Sequence, residues 1–545
     1  MSSGKKLIAL TLLTFIVLIV VGRNFNGKTG DTTGTASGTA VQSSTVSAGD
    51  GTPTDVQISQ QGINTLAQEA GHARVSVNFT WTLMTGFLVL FMQVGFALLV
   101  TGLTRAKNAG HMMMMNLTSF AVALIAYFAV GFAFQFGGVV KALGPVSNLG
   151  GLSPLTGLFG HGDWSWLGTH GFFLQSGHSY DVGVMAMFLF QVVFMETAGY
   201  IIIGAIAERI SFAGFLLAEL AMGAVIYPIY GMWVWGGGFL AHLGSSLSWG
   251  HGAVDFAGSG VVHATGGWAA LALAVVLGPR IGKFNKDGTA NAFPGHNLGY
   301  VVVGTLVLVF GWMGFNPGST LGATDLRISL VAVNTLLAGC FGTVTAIAYT
   351  NAKYGKPDIS MACNGMLAGL VAITAPCAFV APWAASIIGV VAGFVVCYGV
   401  QFFDRIKVDD PCGAISVHGL CGAWGVLSVG IFADGTYGDG WNGISGGVKG
   451  IIYGDGGQLA AQFAHAILGF VWAFGVTYII FTIAKRFMKI RVSEEAEIEG
   501  LDVPEFGAPC YPDFVLVSAR PGAHSAPTSS PGLGGVDVRE REDTR

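Results

Sequence analysis

A run of about 20 apolar residues crosses a hydrocarbon layer about 30 Å thick as a single helix, and this chain carries one such run after another. They fall near 79–104, 112–136, 182–206, 211–230, 257–278, 298–316, 328–350, 361–378, 384–403, 413–432 and 457–485. The pattern predicts an all-α membrane protein with eleven transmembrane helices. Composition points the same way, since only 10% of the 545 residues are charged and 52% are hydrophobic. A soluble domain carries about a quarter charged residues, so this chain lacks the polar groups to cover a globular surface. The 83 glycines suit helices whose backbones touch in a bilayer.

The flanks read differently. Residues 1–22 place Lys5 and Lys6 before an apolar run, Leu7 to Val21, of signal-peptide length. They are expected to be a signal peptide or an N-terminal anchor. Residues 23–78, rich in Gly, Ser and Thr over 24–58, are expected to form an extracytoplasmic linker. The membrane domain of eleven helices is expected over 79–487, a C-terminal tail over 488–516, and a disordered tail rich in Pro, Gly and charges over 517–545. A net charge of −4 gives no reason to expect a nucleic-acid partner. The seven cysteines are odd in number and lack CxxC spacing, which argues against a disulfide framework or a zinc site.

Lysine and arginine set the orientation. One set of connections holds Arg105, Lys107, Arg209, Arg280, Lys283, Lys286, Lys353, Lys356, Arg405 and Lys407, and Lys485, Arg486, Lys489 and Arg491 follow the last span. The opposite set holds Lys141, Arg327 and Lys449. The basic side is expected to be cytoplasmic, which puts the mature N-terminus outside, the C-terminus inside, and 137–180 in a long external loop.

Within this topology a motif recurs. "VVHATGGW" at 261–268 lies on the fifth span, and "VHGLCGAW" at 417–424 lies on the tenth. Two halves of five helices each must cross in opposite senses, a 5+5 inverted repeat with an eleventh helix added. Such repeats bring equivalent helices together near the midplane. His263 and His418 are therefore expected to meet there. A single intramembrane histidine is as readily a packed side chain as a functional one, but two at matching positions can hold each other and pass a proton. Asp255, ahead of His263, reads as the N-cap of the fifth helix.

Longer blocks carry a family resemblance. "GLTRAKN" (102–108), "GAIAERISF" (204–212), "VWGGG" (234–238), "DFAGSGVVH" (255–263), "GWMGFNPGST" (311–320), "DDPCGAISVHGLCG" (409–422) and "RVSEEAEIEGLD" (491–502) make the chain similar to ammonium transporters of the Amt/Mep/Rh family. The resemblance implies a homotrimer that moves ammonium or ammonia across the plasma membrane, with a pore in each subunit. It assigns Trp235 and Ser319, with Phe194 beneath, to external cation recruitment. Phe194 and Phe315 become the gate, His263 and His418 the pore pair and proton relay, and Asp255 their structural support. It implies no enzymatic activity, no cofactor and no bound metal. The tail is implied to pack on the cytoplasmic face and to couple subunits where a PII-type signalling protein docks. Two other readings stand beside it: an ammonium sensor with little flux, and a membrane protein using the two histidines as axial haem ligands.

The chain departs from the common pattern in three ways. Glu196 and Glu219 are carboxyls inside expected spans. The interval from Trp235 to Asp255 is long, and so is the 137–180 loop. Glu196 follows Phe194 by about 200° of helical turn, so it is expected to point away from the pore and tie its helix to a neighbour.

Overall fold

Short polar residues mark where the helices begin. In the computed structural model, the Asn297 side chain accepts from Tyr300 N–H, Asp358 from Met361 N–H and Asp455 from Gln458 N–H. Each supplies the acceptor that the first helical turn lacks internally. Gly355, at φ 79°, closes another helix in the left-handed conformation. The structure describes residues 60–138, 148–149, 155, 157–174, 182–438 and 440–512. The expected leader, the linker up to residue 59 and the 517–545 tail lie outside them.

Among the described residues, ten helices are long and apolar enough to span a bilayer. They are α1 (Gln60–Leu103), α2 (Ala106–Phe136), α3 (Val182–Ile206), α4 (Phe212–Trp235), α5 (Ser259–Leu277), α6 (Leu298–Gly318), α7 (Ile328–Tyr354), α9 (Pro382–Arg405), α10 (Ile415–Phe432) and α11 (Gly456–Ala484). The eighth expected span, 361–378, is the shorter apolar helix α8 (Ile359–Ile373), after which the chain breaks into turns. The count of eleven is thus ten full-length spans and one helix too short to qualify by itself.

One further expectation needs correction. Residues 60–78 are not linker but the start of α1. Here the Gly/Ser/Thr-rich composition gives way to "INTLAQEAGHARV", where Leu, Gln, Glu, Ala and Arg favour helix. The fold is helical as expected, with one small addition. The 137–180 loop carries an antiparallel hairpin, β1 (Leu158–His161) and β2 (Trp164–Gly168), around Gly162–Asp163. Trp164 stacks on Phe239 at 6.0 Å, and Trp233 Nε1 donates to the Trp166 carbonyl at 3.1 Å.

Helices α1 and α6 pack along their length on small residues. A Cβ on Gly95 would sit 2.9 Å from the Gly304 carbonyl oxygen, and one on Gly304 would sit 2.7 Å from that of Gly95. Only glycine on both sides permits that approach.

One end of the bundle is held by a buried ion network. Arg280, 4% exposed, places Nη1 2.7 Å from Glu208 Oε2, and Nε and Nη2 at 2.8 and 3.0 Å from the two oxygens of Asp409. Arg105 joins on Glu208 at 2.7 Å, and Phe293 lies under both guanidinium groups at 4.6 and 4.9 Å. Burial pushes Glu208 up, but Arg280 and Arg105 outweigh it and hold the carboxyl down to about 2. Asp409 is likewise held to about 2, against burial, by Arg280 and Arg209.

The tail stitches onto this same end with α12 (Glu494–Glu499) and α13 (Asp502–Phe506). Asp502 accepts from Gly110 and His111 N–H at the start of α2, Glu505 from Phe212 N–H at the start of α4, and Glu497 from Ile281 N–H. Carboxylates at helix N-termini are favoured both as caps and by the helix dipole.

A pH dependence follows. Both network carboxyls titrate below their ordinary values, so the stability they add is complete above about pH 4.5 and is lost as pH falls toward 2. The thermal midpoint of the purified protein is expected to drop across that window, and Glu208→Gln is expected to flatten part of the drop. A midpoint equally steep in acid for Glu208→Gln would remove the network as its cause.

Candidate functional site

Trp235 is the last residue of α4, and its indole Nε1 donates to the Asp255 carbonyl at 2.7 Å. That bond fixes the ring plane. Ser319 follows the end of α6 and spends its hydroxyl proton on the Phe315 carbonyl at 2.8 Å. Its oxygen therefore meets any ligand as an acceptor. Both residues line a cavity of about 40 Å³, together with Phe194, Phe256 and Trp441. A water-sized guest needs only about 10–15 Å³ of such volume, so the cavity has room for a small guest.

Two phenyl rings lie beneath. Phe194 of α3 meets Trp235 edge-on at 6.4 Å and stacks on Phe315 of α6 with centroids 4.0 Å apart and planes 17° from parallel. Phe315 stacks in turn on His263, at 5.3 Å. The His263 ring is flanked by Trp312 at 5.0 Å, and its Nδ1 lies 3.3 Å from Nδ1 of His418. Both histidines are buried. His418 then lines a second cavity, about 20 Å³, with Tyr200, Phe96, Asn364 and Cys412. The six side chains picked from the sequence as recruitment, gate and relay residues are brought into one line between two cavities. Asp255 lies behind it.

The backbone explains how the histidines reach the axis. His263 and His418 both sit in π-helical first turns, Ser259–Ala264 and Ile415–Leu420. A carboxylate closes each turn. Asp255 accepts from Gly258, Gly260 and Val261 N–H at 2.9 Å, and Asp410 accepts from Ala414 at 3.0 Å and Ile415 at 2.8 Å. Gly258 (φ 107°) and Gly413 (φ 74°) make the left-handed bend in each, and a Cβ at Gly258 would also press to 3.1 Å on the Trp235 ring. The two stretches read D-x2-G-x3-V-H, at 255–263 and 410–418. That longer pattern identifies Asp410 as the counterpart of Asp255, which the shorter Val-His match did not. Burial pushes the Asp410 carboxyl up to about 6, against the pull of the Ile415 and Ala414 amides.

His465 of α11 was also missed. Its Nε2 stands 3.6 Å from Asp255 Oδ2, and the side chain is fully buried. The signal that singled out His263, a histidine in an apolar run, was present at 465 too. Glu196 lines neither cavity and lies near Glu219, against Leu124 of α2.

The geometry bears on the haem reading as well. Metal–imidazole bonds are about 2 Å each, and two nitrogens bonded to each other at 3.3 Å leave no room for an iron between them.

The fold and site define a multi-pass helical membrane protein with an aromatic and imidazole line through its core. The chain belongs to the ammonium transporter family: the model of the Ammonium Transporter Family matches residues 80–511. It is 48% identical to the ammonium transporter Amt2 of Archaeoglobus fulgidus over 447 residues, which cover 82% of this chain and 90% of that protein. It is 35% identical to ammonium transporter Amt1 of Haloferax mediterranei, over 85% of this chain and 84% of that one. Among solved structures it resembles a "Sensor Amt Protein" (33% identity, TM-score 0.69, 80% of this chain and 100% of that one). It also resembles Candida albicans Mep2 (28%, TM-score 0.65, 77% and 87%).

Proposed function

We propose that this chain moves ammonium across the plasma membrane by binding the cation at Trp235 and Ser319, separating it from a proton at the phenylalanine gate, and conveying the proton through His263 and His418. The observation that carries this reading is the unbroken order of the side chains, an indole face and a hydroxyl acceptor, then two stacked phenyls, then two bonded imidazoles. Desolvating ammonium needs replacement contacts. The Trp235 face supplies about 0.5–2 kcal/mol of cation–π attraction, and the Ser319 oxygen accepts one N–H. Beyond the rings a full charge in an apolar passage is too costly, whereas ammonia passes as a neutral molecule.

The imidazole pair suits the remaining proton. In the bonded pair one ring carries its proton on Nδ1, so its Nε2 is bare, and the other ring carries its proton on Nε2. A proton taken at the bare Nε2 displaces the Nδ1 proton across the 3.3 Å contact, and the second ring releases its own from Nε2. This reverses both tautomers, so the rings must reset before the next passage.

In this reading the basic end of the bundle is cytoplasmic, the mature N-terminus is outside, and three copies assemble with a pore in each. In the same reading a cytoplasmic regulator, a PII-type protein included, docks on the tail, whose carboxylates cap α2 and α4. A sensor reading is kept for one reason, the 33% identity to the "Sensor Amt Protein". Growth rescue of cells without ammonium uptake separates the two: on low ammonium at acidic pH, where free ammonia is scarce, a transporter restores growth and a sensor with little flux does not. Trp235→Leu is expected to raise the ammonium concentration giving half-maximal current, by up to about 30-fold if the whole cation–π contribution is lost. An unchanged concentration dependence would return Trp235 to an ordinary interfacial aromatic.

A further inference from the structure

Away from the pore axis, α3 presents a second polar group to α2 and α4. Glu196 and Tyr200 of α3, Glu219 of α4 and Ser119 of α2 are all buried, with at most 4% exposure. The Glu219 carboxyl lies over the α3 backbone, where a Cβ on Gly199 would come within 2.5 Å of its Oε2 and 3.3 Å of Ser119 Oγ. Glu196 lies beside the Tyr200 hydroxyl and the Leu124 backbone of α2, within electrostatic reach of Glu219, and Glu219 lies beside the Ser119 hydroxyl. These contacts are loose: none of the four carboxyl oxygens, the Tyr200 hydroxyl or Ser119 Oγ meets full hydrogen-bond geometry among the described residues.

The surroundings are unusual in two further respects. Among the described residues no cationic side chain acts on either carboxyl. Two carboxylates in an apolar core with no counter-charge cannot both be ionised, so the pair keeps at least one proton. Both flanking helices also widen into π-turns nearby, Tyr127–Gly131 in α2 and Met222–Ile226 in α4, a distortion that concentrates at functional sites. Tyr200 ties the group to the pore. Its ring stacks on Phe96 at 5.4 Å, and it lines the same cavity as His418.

We propose that Glu196 and Glu219 form a proton-holding pair beside the pore, loaded from the cavity under His418 through the Tyr200 hydroxyl. This rests on the ammonium reading above. Before loading, the pair shares one proton and carries a charge of −1. A proton released into the cavity binds the Tyr200 oxygen as the Tyr200 proton passes to Glu196. One O–H bond forms and one breaks at Tyr200, which is neutral before and after, and the pair becomes neutral with two protons. Ammonia is left uncharged in the cavity. Discharge runs the same steps backward once ammonia has left.

Infrared difference spectra of the full chain in liposomes, with and without ammonium, test this directly, with ammonium-evoked current recorded on the same preparation. The wild type is expected to gain a carboxylic-acid C=O band on ammonium addition. Glu196→Gln and Glu219→Gln, which keep shape, are each expected to lose it. Tyr200→Phe keeps the stack on Phe96 and removes only the hydroxyl, so it is expected to retain the acid band of the shared proton but not its response to ammonium. A wild type that carries current without an ammonium-dependent acid band would overturn the pair alone, and so would an unaltered band in both glutamine variants or in Tyr200→Phe. A wild type that carries neither current nor ammonia flux would overturn the transport reading and this proposal with it.

Discussion

Alanine at His263 or at His418 is expected to abolish the ammonium-evoked current of reconstituted protein while leaving the assembly intact on size exclusion. The two rings are bonded Nδ1 to Nδ1 at 3.3 Å, and each is buried against aromatic or apolar walls. Removing either leaves one imidazole without its bonded partner, and the rings beside His263, Trp312 and Phe315, offer no nitrogen base in its place. The helices do not need the rings to hold their shape, because the carboxylates of Asp255 and Asp410 already close the two π-turns. The double alanine variant is expected to behave like either single one, since the residues of a relay act as a unit. Wild-type currents in both single variants would remove the relay.

The second large effect is on stability. Arg280→Ala is expected to lower the unfolding free energy by about 3–5 kcal/mol, because it strands the buried carboxylates Glu208 and Asp409 without their shared cation. Arg280→Lys should recover only part of this, as one ammonium cannot reproduce a fork that bonds Asp409 through two nitrogens and Glu208 through a third. The readout is the thermal midpoint in detergent, with the exposed Arg405→Ala as a control expected near wild type. A midpoint for Arg280→Ala within a degree or so of that control would show that the network adds nothing.

The spans were legible because the bilayer admits few solutions, and apolar length alone marks ten of them. The eighth was overextended since 374–378 stays apolar while its backbone has already left the helix, a distinction hydropathy does not register. Helix α1 is longer than hydropathy indicates for the opposite reason: residues 66–77 mix polar and apolar side chains and are exposed, so helix propensity rather than hydropathy signals them. Of the pore line, His263 and His418 were within reach of chemistry alone, as costly polar groups at repeat-related positions. Trp235, Ser319, Phe194 and Phe315 were not. Nothing in one aromatic among 38 phenylalanines and 12 tryptophans distinguishes a stacked gate from core packing, and those four were found by resemblance. The meeting of Glu196 with Glu219 depends on the relative rotation of α3 and α4, which two separate apolar runs leave undetermined.

The central claim, that the chain carries ammonium through the line from Trp235 to His418, is tested most directly by one recording. Purified protein in liposomes is pulsed with ammonium while current and lumenal pH are followed together. The account predicts a current that saturates with ammonium concentration, accompanied by a lumenal pH change faster than in protein-free liposomes, with the current lost in His418→Ala. A wild type whose current and lumenal pH both match protein-free liposomes, in protein that still binds ammonium, would contradict it.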